Sequence, residues 1–393
     1  MMNPNDIVIV AAKRTPTGTL LGQFSSLTAP ELGAVAHQAV LTATGISPND
    51  IDEVISGCVL QAGIGQAPAR QAAIKAGIPT SAGATTINKM CGSGMKAVML
   101  AHDLIRAGSA EIVLAGGMES MSQAPYLLPK ARAGYRLGHG TLTDHVLLDG
   151  LEDAYEPGAL MGVFADATAT AFQFSRADQD AFAHRSMTRA LAAQSKGAFD
   201  AEIAPVVVKD RAIHHDEAPD AAKLDKLSRL HPAFSKAGTV TAGNASSIAD
   251  GAASLLLMTA SNAATRGLQP LAKIVAHATH AQDPAWFTTA PAEAIRAVLK
   301  KAQWTQNDVE LYEINEAFAV VAMHTMKELS LSVDQVNIHG GACALGHPIG
   351  ASGARILVTL IHALRQHHKT RGIAALCIGG GEATAIALEA FYD

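Results

Sequence analysis

The chain has 393 residues, 49% of them hydrophobic but only 4% aromatic, and a formal net charge of −5. That length exceeds the usual single-domain range, so two or more domains are expected. The mildly negative balance removes the electrostatic case for nucleic acid, and no stretch approaches the roughly 18 apolar residues of a membrane span.

Ile7 to Ala12 is a short apolar run followed, not preceded, by Lys13 and Arg14, which reads as a strand rather than a secretory leader. The four cysteines, Cys58, Cys91, Cys343 and Cys377, are far apart and show neither Cys-x-x-Cys nor zinc-type spacing. Free thiols in a reducing, cytoplasmic setting are therefore expected, with no metal site.

Internal repetition organises the chain. Ser47 to Ile55 resembles Thr305 to Glu313, a turn feeding a strand in each case. Gly92-Ser93-Gly94-Met95-Lys96 matches Ala351-Ser352-Gly353-Ala354-Arg355, each at the start of an apolar helix, the second predicted to begin near Ser352. Ile112 to Gly117 matches Leu376 to Gly380, and the opening strand Ile7 to Val10 has its counterpart in Ala272 to Val275. Two copies of one strand-and-helix unit imply largely parallel sheets buried on both faces.

Within the first copy, the β-branched run Thr85 to Ile87 ends a strand, and Met95, Val98 and Met99 recur at helical spacing, so Cys91 lies at a strand-to-helix turn. There the amides and positive dipole end of the helix favour a thiolate, and Gly92 and Gly94 allow close approach. A lone cysteine in Ala/Gly-rich sequence is more often a small buried hydrophobe, so Cys91 needs partners to count as a nucleophile.

Between the copies, glycines and prolines such as Pro125, Pro129, Gly134, Gly138 and Gly140 interrupt the pattern and mark an excursion. Ser175-Arg176-Ala177-Asp178 is a capping box with Asp in place of Glu, opening a helix through Phe182, Met187 and Leu191 that ends near Gly197. The expected division is an N-terminal half over 1–119, part of which resumes over 245–268, an inserted loop region over 120–267, and a C-terminal half over 268–393.

In the second copy, Asn315 closes the strand Leu311 to Ile314, a position that equally suits a strand-ending turn. Asn337 to Arg355 sets His339, Cys343 and His347 among glycines and other small residues, which reads as a shaped loop rather than core. Ala374 to Ile378 is an apolar strand carrying Cys377 into three glycines, Gly379 to Gly381.

Cys-Gly-Ser-Gly at 91–94, Asn-Glu-Ala-Phe at 315–318, the Gly346 to Arg355 run and the Cys-Ile-Gly-Gly-Gly run at 377–381 look like the signature segments of the thiolase family, in the family's order. Thr241 to Ser246 adds a fifth match, and the resemblance spans essentially the whole chain, most like the bacterial acetyl-CoA acetyltransferases. It implies a duplicated α/β fold with two mixed, largely parallel sheets in an α-β-α-β-α layering and an inserted loop domain over the active site. It also implies a homotetramer, with a dimer left open.

The implied activity is the reversible Claisen condensation of two acetyl-CoA to acetoacetyl-CoA and CoA through an acetyl-Cys91 intermediate. No cofactor is held permanently; coenzyme A thioesters are the substrates. By resemblance His347 is the base that generates the Cys91 thiolate, and Cys377 exchanges the proton on the acetyl methyl. Asn315 orients a water that, with His347, forms one oxyanion hole; the backbone amides of Cys91 and Gly379 form the other. Ser246 contacts the pantetheine chain, Met161 borders the acyl group, and Phe318 and Ala317 shape the pocket. Lys223, Lys226, Arg229 and Lys236 read as a solvated basic stretch.

Leu160 and His339 depart from the commonest family pattern in segments expected to border the pocket, and Cys343 and Gly381 to Thr384 also differ. The alternatives are a broader or longer-chain 3-ketoacyl-CoA thiolase and a thiolase-like acyl-CoA-binding protein without turnover. Decarboxylative condensing enzymes carry a second histidine where this chain has Cys377, and a cysteine hydrolase leaves Cys377 and the duplication unexplained.

Overall fold

The computed structural model describes residues 2–392. The N-terminal part contributes β1 (Ile7–Arg14), β2 (Gly18–Thr19), α1 (Ala29–Thr44), β3 (Glu53–Gly57), α2 (Pro68–Lys75), β4 (Gly83–Ile87), α3 (Ser93–Arg106) and β5 (Ile112–Ser120). The excursion holds the short pairs β6 (Tyr126–Leu127) with β7 (Thr143–Asp144) and β8 (Val206–Val208) with β9 (Arg211–Ile213), and the helices α4 (Met161–Ala171) and α5 (Arg176–Ser195). After it come β10 (Ala249–Thr259), α6 (Ala260–Thr265), β11 (Ala272–Ala281), α7 (Ala290–Ala302), β12 (Leu311–Ile314), α8 (Ala319–Glu328), α9 (Ala342–Leu345), α10 (Ile349–Gln366), β13 (Arg371–Ile378) and β14 (Glu382–Ala390).

Hydrogen bonding runs continuously through β12-β13-β14-β11-β1-β10-β5-β3-β4. The two halves meet at the antiparallel pairs Val8 with Lys273 and Ile9 with Ala272. In the first half β3 is parallel to β4 and β5, and β10 lies antiparallel between β5 and β1, so β1, β3, β4 and β5 share one direction. In the second half β12 and β13 are parallel, and β14 lies reversed between β13 and β11. Each half is thus largely parallel with one reversed strand, as helical crossovers dictate for the parallel members.

Alternation along β1 shows how the layers form. Val8 and Val10 pack outward with Val40 of α1 and Ala73 of α2, while Ile7 and Ile9 pack inward with Met95 and Val98 of α3 and Ile356 and Leu360 of α10. The same inner cluster takes in Leu376 and Leu388 of the second half, whose outer face packs Ile373 and Ala385 against Ile295 and Val298 of α7. Helices α3 and α10 are therefore the middle layer between two sheet halves, and all thirteen residues from Ile349 to Ile361 are buried.

Two sequence expectations shift. Helix α10 begins at Ile349, not near Ser352, because Pro348 takes the N-cap and the Glu119 carboxylate accepts the Gly350 N–H (2.8 Å), pairing a first-turn donor that has no partner inside the helix. The Gly-rich 339–349 segment is loop-like in shape but buried throughout, its backbone paired by side chains of other elements. The capping box at Ser175 and Asp178 is present, with both reciprocal bonds made.

Candidate active site

Cys91 lies between the end of β4 at Ile87 and the start of α3 at Ser93. Met90 before it takes φ +46°, a left-handed conformation that costs about 1–2 kcal/mol for a residue with a side chain. The turn is fixed by Ser93 Oγ, which donates to Met90 O (2.6 Å) and accepts from Lys89 N (2.9 Å), and by Asn88 Oδ1, which accepts from Met90 N (2.9 Å). A Cβ on Gly92 would come 2.3 Å from Ile378 Cδ1, so glycine is what lets the first turn of α3 abut the end of β13. Burial pushes the Cys91 thiol up to about 11, and hydrogen bonds from the Gly379 amide and its own amide work in the opposite direction.

His347 is buried, and its ring is held from both sides. Ser352 Oγ lies 2.9 Å from Pro348 O and 2.5 Å from Nδ1; with its one proton on Pro348 O, it accepts from Nδ1–H. The neutral ring therefore carries its lone pair on Nε2, where Asn315 Nδ2 approaches at 3.4 Å. Burial, and then the charge of Arg355, depress the imidazole to about 3, so it is neutral at physiological pH. Its backbone N–H donates to Ser247 O (2.9 Å), tying the His347 loop to the segment that carries Ser246.

Cys377 is fully buried one turn of strand before Gly379, and its thiol is held well above the ordinary range by burial and then by the charge of nearby Cys91. Asn315 follows β12; its N–H donates to Ala375 O (3.0 Å), and its Oδ1 is buried without a protein partner. Cys377, Ala317, Phe318 and Ala245 share one apolar cluster against which Met161 packs. A Cβ on Gly379 would reach Met161 Sδ at 3.5 Å, so the inserted region and the β13 turn are in direct contact. Ser246 donates from both N (3.0 Å) and Oγ (2.9 Å) to Ala317 O, and Ala245 bridges to Phe318. The nine predicted residues thus lie on linked segments from both halves and the insertion.

Sequence reading missed Glu119. Its fully buried carboxylate accepts from Val59 N (3.0 Å), Leu60 N (3.1 Å) and Gly350 N (2.8 Å), joining the loop after β3 to the start of α10 three residues beyond His347. Burial lifts it to about 7 despite those bonds. A lone acid in the otherwise apolar β5 was the available signal. Ser352, which contacts the imidazole, was noticed in the repeat, at the expected helix start and in the signature run, but was given no part in the site. Glu316 has a structural part: it accepts from Ser186 Oγ (2.7 Å), Asn337 Nδ2 (2.8 Å) and Cys343 N (3.0 Å), fixing the segment ahead of His347. His339 does not border the apolar cluster around Cys377; its ring meets His367 (Nε2 to Nε2, 3.2 Å) and the edge of Phe199. All four cysteines are free thiols, and Cys343 is buried beside the Asn244 and Glu316 carbonyls. Among the described residues no helix is long and apolar enough to cross a membrane.

Comparison with known proteins converges on the same reading. Residues 7–261 match the family model for the thiolase N-terminal domain and residues 268–390 that for the thiolase C-terminal domain. The chain is 49% identical to an acetyl-CoA acetyltransferase of Cupriavidus necator and 50% identical to one of Chromobacterium violaceum, each over 98% of this chain and 99% of the relative. The crystal structure of the Bacillus anthracis acetyl-CoA acetyltransferase superposes with a TM-score of 0.96 at 42% identity, covering both chains completely. With both domains matched in order and half the residues shared with full-length relatives, the chain belongs to the thiolase family.

Proposed function

We propose that this thiolase is an acetyl-CoA C-acetyltransferase, interconverting two acetyl-CoA with acetoacetyl-CoA and CoA. The observation that carries the reading is that the Cys91 turn abuts the end of the strand carrying Cys377, with the Gly379 amide on the Cys91 thiol, while His347 contacts Asn315, whose backbone pairs with that same strand. His347 Nε2 takes the Cys91 proton, and the thiolate attacks the acetyl carbonyl of the first acetyl-CoA. The tetrahedral oxyanion is met by the Cys91 and Gly379 amides, and CoA leaves as the thiol with the proton of Cys377, which becomes a thiolate while His347 keeps its Nε2 proton. Acylation removes the Cys91 charge that opposes ionisation of Cys377. Cys377 then takes a methyl proton from the second acetyl-CoA, and the enolate oxygen is held by the Nε2–H side of His347 and a water oriented by Asn315. The enolate carbon attacks acetyl-Cys91, the new C–C bond forms, and the released Cys91 thiolate takes its proton back from His347. Ser246, Ala317, Phe318 and Met161 are read as the walls that position the pantetheine and acyl group.

Intact-protein mass spectrometry after acetoacetyl-CoA addition tests this: one acetyl group, mapped to the Cys91 peptide and absent from Cys91→Ala, is expected. An acetyl group retained elsewhere in that variant would falsify the assignment. Turnover of acetoacetyl-CoA beside a longer 3-ketoacyl-CoA separates this activity from a broader thiolase, and faster turnover of the longer chain overturns the acetyl specificity.

The same reading divides the chain into halves 1–119 and 268–393 around an insertion at 120–267, with 245–268 returning to the first half. The placement of β10 between β1 and β5 supports that return. It also assigns a homotetramer, supported by the apolar side chains that the 126–148 arm leaves exposed, Leu137 at 99% and Leu142 at 63%. Light scattering of wild type against Leu137→Asp checks it; a monomer in both rejects the assembly.

A further inference from the structure

Helix α3 begins two residues after Cys91, and its last turns bring two polar residues to the seam between the halves. His102 Nδ1 lies 3.0 Å from Asp103 Oδ1, and His277 Nε2, from the middle of β11, lies 2.9 Å from that same oxygen. The two rings meet edge to face with centroids 4.9 Å apart. One nitrogen of each ring and one Asp103 oxygen all lie within 4.8 Å of one another. The repeat and the signature segments account for none of the three.

A carboxylate accepting from two rings is the plainer account. Two features carry the arrangement further. Both ring nitrogens approach the same Asp103 oxygen, at 3.0 and 2.9 Å, so one ligand atom from each of the three residues lies in a single small cluster. The group is also reachable from solvent, with the histidine side chains 14% and 16% exposed and Asp103 53% exposed, so an ion has an entry path. Tetrahedral zinc at about 2.0–2.1 Å from nitrogen and oxygen ligands sets them about 3.4 Å apart, so the 3.0 and 2.9 Å nitrogen–oxygen distances open slightly, the two nitrogens, within 4.8 Å of each other, draw together, and water completes the shell. Lys301 Nζ donates to the His277 carbonyl (3.0 Å), a neighbouring cation that weakens the site and that the Asp103 charge offsets.

We propose that His102, Asp103 and His277 bind one divalent cation of the zinc class and thereby clip the nucleophile helix to the C-terminal half. Two imidazoles and a carboxylate suit borderline divalent ions such as zinc, cobalt and nickel better than magnesium or calcium. The proposal does not depend on which thioester the enzyme takes.

Chelator-treated full-length enzyme is titrated with Co²⁺, whose visible absorption reports ligand geometry, and then with Zn²⁺. Wild type is expected to take up one equivalent of Co²⁺ that Zn²⁺ displaces, and Zn²⁺ is expected to raise its Tm through binding to the folded state alone. Asp103→Asn and His277→Gln should each weaken uptake by at least about tenfold and abolish the Tm rise, while acetoacetyl-CoA cleavage in metal-free buffer stays at the wild-type rate. Uptake equal in wild type and both variants places the metal on other thiols or imidazoles and overturns the proposal, as does a folded wild type that takes up no stoichiometric metal.

Discussion

Ser352 decides what His347 can do. With its proton on Pro348 O it accepts from Nδ1–H, which leaves Nε2 as the acceptor. Ser352→Ala removes that constraint without touching a substrate-facing atom, so kcat is expected to fall roughly tenfold or more with KM changed by less than about twofold, read from steady-state thiolysis. Glu119 acts on the same loop through Gly350. Its carboxyl is raised to about 7, so below that pH it takes up a proton and gives up part of its capacity to accept three amide bonds. Activity should therefore decline as pH falls through about 7. Glu119→Gln is expected to be slower at pH 8 and to lack that acidic limb; an identical pH profile in the variant refutes the role.

At the scale of elements, the site depends on two helices crossing closely in the middle layer. A Cβ on Gly353 of α10 would lie 2.4 Å from Met95 N, and one on Gly94 of α3 would lie 2.8 Å from Ala354 N. Those are backbone atoms, which cannot swing aside, so the two helices must separate to admit even one methyl. Gly353→Ala is expected to lower the unfolding free energy by about 1–3 kcal/mol in urea titration and to lower kcat as well, because Cys91 and His347 ride on these two helix starts. A variant with wild-type stability would mean that the crossing relaxes freely.

At the scale of the molecule, burying neutral histidines links folding to pH. His37 is buried with Nδ1 2.9 Å from Ser254 Oγ and Nε2 3.3 Å from Ser56 Oγ, and burial depresses it from 6.5 to about 4. Its folded-state value lies below the unfolded one, so the unfolded chain binds the proton first. Its contribution is present above pH 6.5 and is lost as pH falls toward 4. His37→Gln should reduce the slope of unfolding free energy against pH in that window by up to about 1.4 kcal/mol per pH unit. The inserted region is tied down by a buried cluster: Arg14 at the end of β1 pairs with Glu202 (2.5 Å) and Asp216 (2.7 Å) and lies over the Phe199 ring. Arg14→Met strands two buried carboxylates, and a loss of about 3–5 kcal/mol is expected by the same urea titration.

How legible this was depended on range. Strand and helix periodicity, the capping box at Ser175 and the repeated units are local signals, since each is set by neighbours within a few residues, and they led to the duplicated architecture and to the strand-to-helix turn at Cys91, while the layering and the parts given to His347 and Cys377 rest on the family resemblance. Glu119, the true start of α10 and the direction of His339 were not readable, because each is decided by partners far away in sequence: Val59 and Gly350 for Glu119, Glu119 for α10, and His367 and Phe199 for His339. The amino-acid order by itself determined the duplicated α/β architecture and the family, because apolar periodicity and signature order survive without knowledge of contacts. Only the tertiary structure decided the tautomer of His347, the burial of its loop and the meeting of His102, Asp103 and His277, because hydrogen-bond partners and local dielectric exist only once both halves close on each other.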